Sequence, residues 1–181
     1  MEQPLNRLCG QRCYLSGPMQ FTPDNGAGWR NTITPILQDM GIVVINPITK
    51  QIEGLQEDVA FEIKRKKLRK KQDWVGFTNL MKPVRHADLR LVDVSDFMLV
   101  VLDMGHFPCG TYEELFCANR QKKPILLCMQ QGKQFVPDWL FATIPYQMIF
   151  GNMDDLLTYL GYINNAEKID DSGRWLFPRW I

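Results

Sequence analysis

The feature that most constrains this chain is a set of short, wholly apolar runs. Residues 42–45 read Ile-Val-Val-Ile, 97–102 read Phe-Met-Leu-Val-Val-Leu, and 125–129 read Ile-Leu-Leu-Cys-Met. None alternates apolar with polar, and unbroken runs of this kind are what parallel strands buried on both faces show. Two further short runs, 12–16 and 147–150, bring the expected strands to five. Between them the apolar residues recur at helical spacing. Trp29, Ile33, Ile36, Leu37 and Met40 form one such series, with Pro35 inside it as an expected kink and Gly41 at its end. Val84, Ala87, Leu91 and Val94 form another within 83–95. Residues 111–121, a short piece at 139–143, and 154–160 behind Asn152 as a cap complete the expected helices. Strands alternating with amphipathic helices imply a parallel sheet covered on both faces. The expected fold class is therefore α/β: a flavodoxin-like or Rossmann-like five-stranded parallel sheet with helices on both faces. We expect one domain over 1–181, with a basic insertion around 55–80 and an aromatic tail at 170–181.

Composition removes several classes of function. The net charge of +1 gives no overall attraction to nucleic acid or to an anionic membrane. No apolar stretch approaches the roughly 20 residues of a membrane span. The N-terminus lacks the apolar stretch of a secretion signal. Five cysteines without CxxC spacing argue against a disulfide framework or a zinc site. Cys13, Cys117 and Cys128 read as small buried residues of a cytoplasmic protein. No metal and no cofactor is expected, and the fingerprints of dinucleotide and P-loop nucleotide sites are missing.

Open α/β sheets bind ligands at the C-terminal ends of their strands, so the strand ends are where chemistry is expected. Tyr14-Leu15-Ser16-Gly17-Pro18-Met19 ends the first strand; Gly17 lets backbone approach a ligand there. After the strand at 97–102 come Pro108, Cys109, Gly110 and Thr111 and then two carboxylates, Glu113 and Glu114. Both read as first-turn residues of a helix, where the helix dipole favours negative charge. Adjacent helical residues point about 100° apart, so one of them addresses the pocket and the other is a helix-start charge. Asp88 lies mid-helix near the apolar side, an uncommon place for a carboxylate without a partner or a function. Its neighbours Arg85, His86 and Arg90 supply candidate surface partners. Asp96 reads first as a helix-to-strand junction residue. His86 and His106 are too few and too far apart for a metal site or a Ser-His-Asp set. A Cys109 nucleophile with His106 as base is a weaker alternative. Residues 64–71 hold 7 of the 21 lysines and arginines. That run is a solvated segment or, alternatively, a patch for phosphates or nucleic acid.

Four segments in order resemble the nucleoside 2-deoxyribosyltransferase superfamily, which includes N-glycosidases acting on nucleoside 5′-monophosphates. They are Tyr14-Leu15-Ser16-Gly17-Pro18-Met19, the run from Ala87-Asp88-Leu89 to Asp96, Gly110-Thr111-Tyr112-Glu113-Glu114-Leu115-Phe116-Cys117-Ala118, and Lys122-Lys123-Pro124-Ile125. The resemblance implies a catalytic nucleophile at Glu114 and a second catalytic carboxylate, Asp88, that positions the sugar. It places Tyr14, Ser16, Gly17, Pro18, Asp96, Gly110 and Thr111 around the substrate. The implied activity is N-glycosidic cleavage or transfer on (deoxy)nucleosides or their 5′-monophosphates. Hydrolysis of monophosphates without base transfer is one alternative, and a non-catalytic nucleotide- or nucleic-acid-binding module using 64–71 is the other. The expected partners are a small nucleoside or nucleotide and further copies of the chain. Transferases of this family can borrow a C-terminal carboxylate from a neighbouring subunit, a role the end of the 170–181 tail could fill. The family carries Asp or Ser where this chain has Pro108, which bears on the base and on the phosphate state of the substrate.

Overall fold

The computed structural model of the chain describes residues 6–19, 22, 24–50, 52, 55, 57–167 and 172–177. Five strands form the sheet: β1 (Arg12–Ser16), β2 (Val43–Ile45), β3 (Phe97–Leu102), β4 (Ile125–Met129) and β5 (Ile149–Phe150). All pair in parallel, in the order β2-β1-β3-β4-β5. Every residue of β3 and β4 is buried, as unbroken apolar runs require. The run at 42–45 behaves differently. It forms the edge strand β2, and Val43 is 50% exposed. Apolar composition identified a strand there; only its place in the sheet order shows that one side has no neighbouring strand among the described residues.

Among the described residues six α-helices connect and flank the strands: α1 (Ala27–Asp39), α2 (Val59–Lys70), α3 (Trp74–Val94), α4 (Cys109–Arg120), α5 (Asp138–Phe141) and α6 (Met153–Asn164). The path from β1 to β2 runs one way along the sheet, and the paths on to β3 and β4 run the other. Right-handed crossovers therefore put α1 on one face and α3 and α4 on the other. Three details depart from expectation. α1 accommodates Pro35 on an exposed position, and its buried stripe is Arg30, Ile33 and Leu37, with Ile36 turned outward. α3 begins nine residues before Pro83, capped by Asp73, whose carboxylate accepts the Gly76 N–H at 2.8 Å. The expected helix covered only 83–95; Pro83 instead sits exposed mid-helix. α4 starts at Cys109, so Glu113 and Glu114 fall in its second turn.

Asn152 caps α6 as expected, accepting the Asp155 N–H at 2.8 Å. Of the aromatic tail, Trp175 is buried against Phe97, donates to the Tyr159 hydroxyl at 3.0 Å, and stacks on Phe177. The last four residues, and with them the terminal carboxylate, lie outside the described residues. Cys13 and Cys128 are buried, while Cys117 is partly exposed. Among the described residues no helix is long and apolar enough to cross a membrane.

Candidate active site

The sheet order reverses between β1 and β3. In a parallel sheet the loops leaving two such strands diverge to opposite faces and leave a crevice at their C-terminal ends. A pocket of about 230 Å³ opens there, below the roughly 300–1,000 Å³ of sites for drug-sized ligands. A small polar molecule fits that scale better than a polymer. The loop after β1, α1, the loop after β2, α2, α3 and the start of α4 all contribute to its wall.

Glu114 projects from the second turn of α4 toward the end of β1. The Tyr14 hydroxyl donates to its Oε1 at 2.9 Å, and the Ser16 hydroxyl donates to its Oε2. Residues 14 and 16 lie on the same side of β1 because side chains alternate along a strand, so one strand face holds both oxygens of the carboxylate. Burial lifts the Glu114 pKa to about 7; the charge of Asp88 adds to the rise, and Ser16, Tyr14 and Arg30 oppose it. The helix dipole was expected to keep Glu114 ionised. Its influence fades beyond the first turn, and with the helix starting at Cys109 desolvation wins. At neutral pH Glu114 is thus divided between acid and carboxylate.

Asp88, on α3, lines the same pocket. None of its sequence neighbours is its partner. Instead the Lys50 ammonium donates to Asp88 Oδ1 at 2.7 Å and to Glu57 Oε1 at 2.8 Å. Burial raises the Asp88 pKa, with Lys50 working against it. For Lys50, burial acts to lower the pKa, and the bonds to Asp88 and Glu57 overcome it, so the ammonium is held charged.

Gly17 and Pro18 form the wall beyond β1. A Cβ on Gly17 would stand 2.9 Å from Trp29 Cζ2 and 3.1 Å from the Val101 carbonyl. The glycine is therefore required by packing as well as by access to the pocket. Behind it lies Arg30, fully buried, which donates from Nη2 to the Gly17 carbonyl at 3.0 Å and from Nη1 to the Gly26 carbonyl at 2.8 Å. Burial lowers its pKa to about 10. Gly26, at φ +73°, leaves room for this clasp, since a Cβ there would come within 2.6 Å of Arg30 Nη1 and 2.3 Å of the Pro18 carbonyl.

Gly110 and the buried Thr111 line the pocket from the first turn of α4, with Pro108 and the exposed Cys109 beside them. His106 Nδ1 lies 3.6 Å from Asp103 Oδ2. Glu113 points away: Arg85 Nε meets its two oxygens at 3.0 and 2.9 Å, tying α3 to α4 at the surface. It is a helix–helix bridge rather than a helix-start charge. Asp96 is the one named site residue placed far from the pocket. It sits at the N-terminal ends of β1 and β3, where its carboxylate accepts the Arg12 N–H at 2.8 Å and pairs with the guanidinium at 2.9 Å. That is the junction role its sequence position first suggested. The basic run lies on α2, none of whose residues is buried. Arg65 turns to the pocket and pairs with Glu62; the other cations of the run face outward.

Lys50, Glu57 and Arg30 were missed in the sequence. Arg30 had a signal, for it stands three residues before Ile33 and seven before Leu37, on the apolar stripe. Lys50 follows the end of β2, the one early strand end that was not read for chemistry. Glu57 had none, since only the fold brings the approach to α2 back over β2.

An open, doubly wound parallel sheet with a carboxylate pocket at its switch point defines the class. Among solved structures, the 2-deoxyribosyltransferase from the psychrotolerant bacterium Bacillus psychrosaccharolyticus superposes with a TM-score of 0.56 at 16% identity, covering 82% of this chain and 91% of that one. A 2-deoxyribosyltransferase from Leishmania mexicana gives 0.46 at 20% identity, over 68% and 67%. No family model matches the chain, and no curated protein matches it in sequence. The first likeness shows that the chain has the α/β fold of that transferase.

Proposed function

We propose that the protein cleaves the N-glycosidic bond of a nucleoside or nucleoside 5′-monophosphate, as a member of the nucleoside 2-deoxyribosyltransferase superfamily, with Glu114 as nucleophile. The observation that carries this reading is the clamp on Glu114: two hydroxyls from one strand face hold both carboxylate oxygens in a pocket that also contains Asp88. A carboxylate held by two donors is oriented without being neutralised. The ionised form attacks the anomeric carbon as the C–N bond breaks, and the base leaves with the bonding electrons and takes up a proton. The sugar is left as an ester on Glu114. Attack by another base completes a transfer, and attack by water completes a hydrolysis. Splitting one difficult displacement into two easier ones is the logic of covalent catalysis. Asp88 accepts a hydroxyl of the sugar and fixes its ring against Glu114. Tyr14, Ser16, Gly17, Pro18, Gly110 and Thr111 shape the space around it.

The test is release of free base from deoxynucleosides, ribonucleosides and their 5′-monophosphates, with and without an added acceptor base. Incorporation of the acceptor distinguishes transfer from hydrolysis. Turnover by Glu114→Ala equal to that of the unaltered protein refutes the nucleophile. Inactivation by Cys109→Ser, with Glu114→Ala still active, would instead favour a thiol mechanism. Sedimentation at several concentrations tests whether the working form is a homo-oligomer.

A further inference from the structure

Lys50 is the least expected charge in the molecule. Its side chain is 2% exposed, yet it ends between two carboxylates from different segments, Glu57 ahead of α2 and Asp88 on α3. Stability is a poor explanation. Desolvating three charged groups costs about as much as their attraction returns, and packed apolar replacements of buried ion pairs are often neutral or stabilising. Methionine at position 50 alone would strand Asp88 and Glu57 without a counter-charge, but apolar groups in place of all three would suit the fold at least as well, so stability does not explain why the cluster is there. What the lysine does that methionine cannot is hold one chosen oxygen of Asp88. With Oδ1 taken by the ammonium, Oδ2 has no protein partner among the described residues and is the oxygen left for a ligand.

We propose that Lys50 is a positioning residue of the site: by holding Asp88 at Oδ1 and bracing itself on Glu57, it fixes the orientation of the Asp88 carboxylate and presents Oδ2 to the sugar. The proposal rests on the glycosidic reading above and deepens it. The charges around Asp88 explain why the balance is delicate. Lys50 and Glu57 face it from the loop after β2 and the approach to α2, Arg30 from α1, Tyr14 from β1 and Glu114 from α4. Arg30 and Lys50 balance Asp88 and Glu57, so the cluster is neutral while Glu114 is protonated and carries one net negative charge when Glu114 ionises. Removing a cation from this set makes each remaining carboxylate harder to ionise. Removing a carboxylate makes the others easier to ionise.

Two substitutions therefore move the protein in opposite directions. Lys50→Met is expected to lower kcat/KM for base release by about 10²-fold, the cost of a misplaced positioning group. The acid limb of the pH–rate profile should shift to higher pH, and because two carboxylates lose their counter-charge the melting temperature should fall as well. Lys50→Arg should restore part of the rate. Glu57→Gln, which leaves Lys50 on Asp88, should cost less than tenfold and shift the acid limb to lower pH. A residue that served only packing would give no opposed shifts. If Lys50→Met fails to fold, Glu57→Gln still decides the matter by the direction of its limb, and Lys50→Arg, which keeps the charge, should retain part of the rate. Acid limbs that stay in place, or that move the same way in Lys50→Met and Glu57→Gln, overturn the proposal while leaving the glycosidic reading intact. An unaltered protein that releases base from none of the substrates overturns that reading, and the role of Lys50 with it.

Discussion

Replacing Glu114 with glutamine should stabilise the protein at alkaline pH. The Glu114 pKa is raised from 4.5 to about 7 by burial. The folded protein therefore binds a proton more tightly at this site than the unfolded chain does. Between the two values the native state holds more protons, so stability falls as pH rises, and the loss is complete above about 7. At 1.36 kcal/mol per pKa unit, a rise of this size corresponds to about 3 kcal/mol. Glutamine has the same shape and no charge, and the Ser16 hydroxyl can turn to accept from its amide. Any mismatch in that hydrogen bond is the same at every pH and cancels. The assay is urea unfolding of both proteins from pH 4 to pH 8, read as the difference between them. That difference should grow by about 3 kcal/mol in favour of Glu114→Gln across the range, or on the order of 10 °C in melting temperature for a chain of this size. Activity should vanish in the same variant. A difference that is flat with pH, or that favours the unaltered protein at pH 8, would refute the claim that desolvation outweighs the hydrogen bonds from Tyr14 and Ser16.

Three further outcomes follow from the same geometry. Tyr14→Phe removes one charge-assisted hydrogen bond to Glu114; at about 1.5–3 kcal/mol for such a bond, the acid limb of kcat/KM should rise by about one to two pH units, recovering the rate at high pH. Gly26→Ala forces a left-handed backbone and intrudes on the Arg30 clasp, so it should cost at least about 2 kcal/mol of stability by urea unfolding; an unchanged midpoint would mean the clasp is not formed. Asp96 has its pKa lowered by the Arg12 hydrogen bonds despite partial burial. The stability it contributes is present above 3.8 and is lost as pH falls through the lower folded value. Asp96→Asn should thus weaken the protein at neutral pH, converge with it in acid, and leave kcat/KM untouched.

The local pattern of this chain already determines its layers. Unbroken apolar runs at 97–102 and 125–129 have no arrangement but a sheet covered on both faces, and 3.6-residue spacing has none but helices to cover it. Strand ends are where backbone donors and side chains converge, and that drew out Gly17 and the Glu113–Glu114 pair; Asp88 stood out as a carboxylate inside a helix, and the family resemblance added Tyr14 and Ser16 and chose Glu114. What the sequence could not carry is everything that depends on which surfaces meet. Strand order makes Ile42-Val43-Val44-Ile45 an edge and separates Asp96 from the pocket by the length of the sheet. The start of α4 at Cys109 moves Glu114 out of reach of the helix dipole and leaves its proton to burial. The partners of Asp88, Glu113 and Arg30 are tertiary neighbours: Lys50 is 38 residues from Asp88, Arg85 is 28 from Glu113, and Arg30 reaches the Gly17 carbonyl 13 residues back. Composition and periodicity are properties of neighbours along the chain, and they set the fold. Desolvation and ion pairing depend on neighbours in space, and only the folded structure decides them.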